Sequence, residues 1–439
     1  MSAIPDAQPE AMSKRGQWMA LTAAVLGWMF DGLEMGIFPL VARPALGEML
    51  GADGHDRIGH WMSINIAIFL VGASFGGLFF GWLGDRIGRV RAMVWSVLVY
   101  SIFSALGAFS IAPWHLAGLR FVASLGMGGE WALGVALVME IWPSRSRPLL
   151  AGMIGAAANV GFLLVALLSL GLATVIDSLG SVLRASLPSS WAEALLANQA
   201  WRLLMLLCAF PALLTFFIRI FVPESERWRV AASRSARVRV TDIFVPGIAR
   251  LTLLGVALSA VALIGTWGSV QWIPSWGDKL TEKAPRTREM LQIFSASGAC
   301  IGTVAMAFLA ERLNRRVSYF CLCVLSLLFC QFLFGATSDY GWQLVLGTGV
   351  VGILTASFYG WFPLYLPELF PTRIRATGQG FAYNAGRLLA AAGTLVSGQL
   401  LDFFKEDYAR MCQVITWIYL AGMVLIWFCP ETKGRPLPD

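Results

Sequence analysis

Charge is scarce in this chain. Only 13% of the 439 residues are Asp, Glu, Lys or Arg, against roughly a quarter in a soluble globular protein. So few charges cannot cover a chain of this size, and much of its surface must face something other than water. Histidine is scarcer still. His55, His60 and His115 sit in or near predicted outer loops, with no Cys or Ser in register, which excludes the common nucleophile–base arrangements of an enzyme. The cysteines (208, 300, 321, 323, 330, 412 and 429) all fall in apolar segments. Cys321 and Cys323 form a C-x-C, but no second pair or His follows at zinc spacing, so they read as buried free thiols. Neither a metal nor a cofactor is expected. Strand-like alternation is absent, and the first sixteen residues, MSAIPDAQPEAMSKRG, lack a signal-peptide pattern.

Long apolar runs take up the space that charge vacates. Hydrophobic residues make up 57% of the chain and the mean hydropathy is +0.68. A bilayer core needs about 20 apolar residues per helix. Twelve such runs are predicted, near 17–41, 59–82, 91–110, 113–139, 148–176, 200–222, 246–276, 289–311, 317–336, 341–367, 375–402 and 411–429. The formal charge of +7 is concentrated in short loops between them, which suits a membrane better than nucleic acid. The loops containing Arg86, Arg89, Arg91, Arg145, Arg147, Arg312, Arg315, Arg373 and Arg375 carry about twice the Lys and Arg of the opposite set, so they are expected on the cytoplasmic side, with both termini. The expected organisation is a tail (1–16), a six-helix bundle (17–222), a basic linker (223–245), a second six-helix bundle (246–429) and a tail (430–439).

The two halves repeat each other. Residues 140–147 read EIWPSRSR, and residues 368–375 read ELFPTRIR. LGDRIGR (83–89) follows the second span and LAERLNR (309–315) follows the eighth. Asn159-Val-Gly and Asn384-Ala-Gly lie in the fifth and eleventh spans. Pro223-Glu-Ser closes one half and Pro430-Glu-Thr the other. A doubled six-helix unit suits alternating access, one bundle rocking against the other around a central site.

GWLGDRIGRVR (81–91) resembles the signature loop of the major facilitator superfamily, of the form G-x-L-x-D-R-x-G-R. RFVASLGMGGEW (120–131), PESERW (223–228), PELFPTRIRATG (367–378) and PETKG (430–434) resemble the branch of sugar porters and proton-coupled organic-acid symporters. Sialate and carboxylate symporters are the most similar, and synaptic-vesicle and niacin-type transporters are also similar. The resemblance spans the chain and implies an all-α integral membrane fold, twelve helices in two pseudo-symmetric bundles, and secondary transport. In the second half the loop departs from the pattern, with Glu311 for Asp and Asn314 for Gly, so it is expected to hold less firmly.

The repeated charges suggest a gate. Asp85 and Glu140 sit at cytoplasmic helix ends beside Arg86, Arg89, Arg145 and Arg147. Their second-half counterparts are Glu311 and Glu368, beside Arg312, Arg373 and Arg375. When the cytoplasmic ends approach, carboxylates and guanidiniums can pair, and Asp85 can dock at the start of the eleventh helix, where the dipole favours anions. Solvated positive-inside charge is the simpler alternative.

Charges within the spans are costly and mark function. Asp31 and Glu34 are three apart on helix one and share a face, which suggests proton exchange; a structural ion pair is the alternative. In sugar porters a Gly-aromatic-Asp on this helix carries the proton, and Gly32-Leu33-Glu34 falls there. The resemblance also implies Arg120 as the partner of the helix-one acid. Glu130, among Gly126, Gly128 and Gly129, is either a second proton site or a structural acid. Arg387, with Tyr383 and Asn384, forms a midplane donor cluster on helix eleven, where the equivalent after Asn159 in the first half is Phe162. Asn159 on helix five, Trp267, Gln271 and Trp272 on helix seven, around a break expected at Pro274, and Tyr359 and Trp361 on helix ten complete the expected substrate site. The reading is a proton-coupled symporter of a small organic anion, working as a monomer in the cell membrane. Its partners are protons, a small-molecule substrate and lipid. The alternatives are a sugar or polyol symporter, an exporter, or a non-transporting receptor.

Overall fold

Backbone groups in an apolar run find no partner in lipid and must bond within the segment, so such runs become helices. In the computed structural model, which describes residues 13–51, 54, 57–234, 238–282, 284 and 286–438, helices are the dominant element and no strand occurs among the described residues. Most of the expected N-terminal tail, together with His55, Arg237 and Lys283, lies outside the described residues.

The first bundle comprises α1 (Lys14–Leu50), α2 (Ile58–Ile87), α3 (Arg89–Leu106), α4 (Pro113–Ile141), α5 (Arg147–Leu170), α6 (Leu172–Ser186), α7 (Ser189–Leu207) and α8 (Ala212–Phe221). A short α9 (Glu226–Arg234) and a 3-10 turn (Val240–Phe244) lead to the second bundle. That bundle comprises α10 (Ile248–Gly268), α11 (Ile273–Leu280), α12 (Thr287–Leu313), α13 (Arg315–Ala336), α14 (Trp342–Leu369), α15 (Arg375–Phe403), α16 (Tyr408–Thr416) and α17 (Ile418–Leu425). The end of the molecule at which α1 begins and residue 438 lies is termed the lower end.

Eleven helices or helix pairs among the described residues are long and apolar enough to cross a membrane. The twelfth expected span, α15, is 29 residues long but too polar to count. Two of its polar residues turn onto the first bundle. Gln379 donates to the Ala132 carbonyl of α4, and Asn384 donates to the Gly128 carbonyl at 2.9 Å. The amide N–H groups of these two residues therefore bond across the seam between the bundles, and Gly77 of α2 leaves the room that the Asn384 amide occupies. Elsewhere the seam is built by α5 against α12 and α14, where Gly155 lies directly on the Tyr359 carbonyl.

Three expected boundaries shift. The break expected at Pro274 falls at Ser269–Trp272, and Pro274 sits in the first turn of α11, where its missing N–H costs nothing. The sixth span is two helices, α7 and α8, broken around Pro211. Between α5 and α7 the amphipathic α6 adds an upper-end segment that sequence reading had divided between the fifth span and a loop. Positive φ at Asn198, Gln199 and Ala200 interrupts α7 and turns Asn198, Trp201 and Arg202 onto the Glu48 carboxylate, at 2.7, 2.8 and 2.6 Å.

Candidate functional site

At the lower end a glycine makes the first turn. Gly88 has φ 111°, a conformation that favours glycine, and it lets the chain reverse from α2 into α3. Arg89 then points back into the protein with no exposure. Its guanidinium bonds Asp85, the Gly84 carbonyl at 2.9 Å, and Glu140 at the end of α4 at 2.9 Å. It also crosses to the second bundle and donates to the Thr372 carbonyl at 2.9 Å. From the other side, Arg375 at the start of α15 reaches the same Glu140 oxygen at 3.0 Å. Asp85 accepts from the Ala376 and Thr377 N–H groups at 3.2 and 2.7 Å, and from the Thr377 hydroxyl at 2.5 Å. A carboxylate thus sits on the first amides of α15, the positive end of that helix. Ser225 donates to Glu140 at 2.6 Å, and Glu224 accepts the Arg89 and Val90 N–H groups at 2.9 and 3.1 Å.

The second half repeats the parts but not the crossing. Arg315 makes a two-pronged contact with Glu368 at 2.8 and 3.1 Å. Thr432 donates to Glu368 at 2.6 Å, and Glu431 accepts the Arg315 and Arg316 N–H groups, both at 3.1 Å. All these partners belong to the second bundle or its tail. Glu311, in the place of Asp85, is half-exposed and only brushes Arg315 at 3.4 Å. The equivalent loop carboxyls also differ. Burial pushes Glu224 above its ordinary value despite the N–H donors around it. Burial likewise opposes charge on Glu431, but the N–H groups of Lys433, Arg316 and Arg315 hold it below the usual range.

Between the bundles, above this network, lies a cavity. Its wall includes Arg387, Tyr383, Tyr359, Asn159, Gln271 and Trp267, with Trp28, Phe162, Thr266 and Gln292. A second hollow shares Phe162, Gln271, Pro274 and Gln292 with it and continues to Ser169 and Arg288 at the upper end. Below, Trp131 of α4 stacks on Tyr383 of α15, with centroids 4.2 Å apart and planes at 23°, and closes the floor. Arg387 is 4% exposed. Its guanidinium lies 5.4 Å from the centre of the Tyr383 ring, and its Nη1 has no hydrogen-bond partner.

Two acidic sites flank α1. Glu34 pairs with Arg120 at 3.1 Å, and Ser104 donates to it at 3.3 Å. Arg120 is further held 3.4 Å from the Phe38 ring centre. Asp31 turns elsewhere. It neighbours Glu130 of α4, whose carboxyl fills the space left by Gly27, one helical turn before Asp31. None of the four oxygens of these two buried carboxyls has a hydrogen-bond partner among the described residues. Two carboxylates carry no hydrogen between them, so these neighbours can bond only if a proton is shared.

The family model of the Major Facilitator Superfamily matches residues 20–394. The chain belongs to the Major Facilitator Superfamily. Members of this superfamily are transporters, not enzymes. The chain is 29% identical to the cis,cis-muconate transport protein of Acinetobacter baylyi over 84% of each chain. It is 24% identical to the sialic acid transporter NanX of Escherichia coli K12 over 93% of each. Its fold is similar to that of the proton:xylose symporter XylE solved with 6-bromo-6-deoxy-D-glucose. The TM-score is 0.76 at 17% identity, covering 96% of this chain and 98% of that one.

Within this superfamily fold, the expected site residues divide by position. Asp85, Arg89, Glu140 and Arg375 meet in one buried network, and Glu368 lies in the second. Arg147 is buried at the start of α5 but donates to the Met139 carbonyl of its own bundle at 3.1 Å. Arg86, Arg145 and Arg312 are exposed and stand outside both networks, because each projects from the outer side of its helix end or turn. Arg373 turns to Asp242 of the linker, 3.1 Å away, instead of joining either network. Three expected substrate residues lie away from the cavity. Asn384 is consumed by the bundle seam. Trp361 is fully buried below, donating to the Arg315 carbonyl at 3.1 Å. Trp272 faces Tyr408, with centroids 6.1 Å apart. Sequence reading passed over Arg315, Thr377, Glu224, Ser225, Glu431 and Thr432. The register of LAERLNR on LGDRIGR, and of the two Pro-Glu-Ser/Thr phrases, carried the signal for all but Thr377.

Asp85→Asn weakens the docking at α15. Deuterium exchange at the Ala376 and Thr377 amides is expected to rise several-fold, while Glu311→Gln leaves exchange at the start of α5 unchanged. Equal effects of the two substitutions, or none from Asp85→Asn, would contradict the asymmetry.

Proposed function

We propose that the protein is a proton-coupled symporter that moves a small organic anion, of carboxylate type, by alternating access. One observation carries this reading. Arg387 places a buried guanidinium in the cavity wall, and among the described residues no acid lies within ion-pair distance of it. A buried charge without a partner is costly, and a carboxylate in the cavity would supply one, with the planar fork favouring a bidentate contact. Tyr383, Tyr359 and Trp267 offer an apolar body, and Gln271, Asn159 and Gln292 offer polar edges. A neutral sugar would leave Arg387 unpaired. The muconate and sialic acid transporters among the relatives support an organic acid as cargo.

The proton site is read as Asp31 with Glu130, and the Glu34–Arg120 pair as its neighbour in the same bundle. Asp31 is also close enough to feel the field of Arg387. With a proton shared between Asp31 and Glu130, less negative charge offsets Arg387, and an anion binds better. When the proton leaves, Arg387 is better compensated and the anion is released. The coupling is energetically sensible. A monoanion entering against an inside-negative potential costs about 2.3 kcal/mol per 100 mV, and one accompanying proton cancels that cost. The Arg-rich lower end is assigned to the cytoplasm by the positive-inside rule, with the chain acting as a monomer in the cell membrane. Asp85, Arg89, Glu140 and Arg375 then form the cytoplasmic gate.

Two outcomes follow. In purified protein screened against cis,cis-muconate, sialate, benzoate and xylose, the best ligand is expected to be a carboxylate. Arg387→Ala should weaken it by about 2–5 kcal/mol, and Arg387→Lys should weaken it less. An uncharged best ligand, or unchanged affinity in Arg387→Ala, would overturn the anion reading. In proteoliposomes, Asp31→Asn and Glu130→Gln should abolish accumulation driven by a pH gradient while retaining exchange of internal for external substrate. Full accumulation in both variants would place the proton elsewhere.

A further inference from the structure

A groove at the lower end, outside the gate, has the chemistry of a lipid-headgroup site. It is lined by Trp82, Arg86, Val238, Arg239, Asp242 and Arg373. Its three arginines come from three separate segments: α2 of the first bundle, the linker, and the turn before α15 of the second bundle. The single acid, Asp242, is used by Arg373 at 3.1 Å and by the Arg239 N–H at 3.1 Å. Arg86 and Arg239 are exposed and belong to no ion pair among the described residues, and the Arg86 guanidinium lies 5.1 Å over the Trp82 ring. Two positive charges are therefore left over, facing one opening.

The groove is also placed for a lipid. It lies at the end of the apolar α2 span, where tryptophan is at home. The Trp82 indole N–H donates to the Val238 carbonyl at 3.1 Å, which pins the linker beneath the α2–α15 cleft. Above and beside the arginines the surface turns apolar. Phe79 is 49% exposed and Phe244 46%, flanked by Trp82 and Phe381 at centroid distances of 6.1 and 5.3 Å. An anionic phosphate below and an exposed aromatic surface above match a phospholipid and not a free ion.

We infer that the groove formed by Arg86, Arg239 and Arg373 binds the phosphate of an anionic phospholipid. Guanidiniums suit phosphate oxygens, and basic pockets between membrane helices attract anionic headgroups. Because the arginines belong to both bundles and the linker, one headgroup ties the three together. Such a lipid has differential affinity for the arrangement in which the lower end is closed, and so stabilises it. This assignment does not depend on the identity of the substrate.

The test is native mass spectrometry of the full chain, purified with equal amounts of phosphatidylglycerol, phosphatidylethanolamine and phosphatidylcholine. Phosphatidylglycerol should be retained preferentially. Arg86→Gln with Arg239→Gln should reduce that retention by roughly tenfold or more. Arg91→Gln with Arg229→Gln, which removes the same charge from a separate groove beside Trp228, should leave it unchanged. Deuterium exchange in residues 372–377 should be slower in phosphatidylglycerol nanodiscs than in phosphatidylcholine nanodiscs. Equal retention of the three lipids, an equal loss in the control variant, or displacement by millimolar inorganic phosphate would overturn the assignment.

Discussion

The interaction on which the rest depends is a single carboxylate, Glu140, held between two guanidiniums from opposite bundles. Arg89 approaches from the first bundle and Arg375 from the second, and all three side chains are sealed from solvent. Burying three charges is costly unless each finds its partner. Here each does, but only while the lower ends of the bundles touch. Separating them would strand a buried charge at a cost of about 3–5 kcal/mol if nothing replaced the lost partner. The contact therefore belongs to one state, and the cavity it leaves accessible faces the opposite end. The repeated acidic–proline–basic phrase has its physical meaning here: it delivers a carboxylate to the end of one helix and an arginine to the start of the next.

The duplication is used unequally. In the first half, glycine makes the turn at Gly88, and Asp85 is free to dock on α15. In the second half, Asn314 adopts φ 127° at the same point, a conformation that costs a non-glycine residue, and Glu311 reaches no helix start. The Arg315–Glu368–Glu431 network closes within its own bundle. One side of the lower end is thus joined across the seam, while the other ties together parts of its own bundle and tail.

Much of this was legible in the sequence. Run lengths located most of the spans, and the paired phrases carried the doubling, the loop motif and Asp85, Arg89, Glu140 and Arg375 of the lower network. What the sequence could not reveal was facing. Tyr383 and Asn384 are adjacent on α15, yet one lines the cavity and the other is spent on the Gly128 carbonyl across the seam. Asp31 and Glu34 share a face of α1, as their spacing predicts, but that face meets two different partners on α4, Glu130 and Arg120, three turns apart. Trp361 has the composition of a ligand wall and the position of a core residue. Periodicity gives the angle between residues on one helix; only packing says what lies at each angle.

The central claim is that Glu140 holds the lower ends together. Distances between spin labels at Arg145→Cys and Arg312→Cys, on opposite bundles at that end and in a background without the native cysteines, measure this directly by electron–electron resonance. The account predicts a short, narrow distribution with Glu140 present and a shift to longer distances in Glu140→Gln. An unchanged distribution in Glu140→Gln would contradict it.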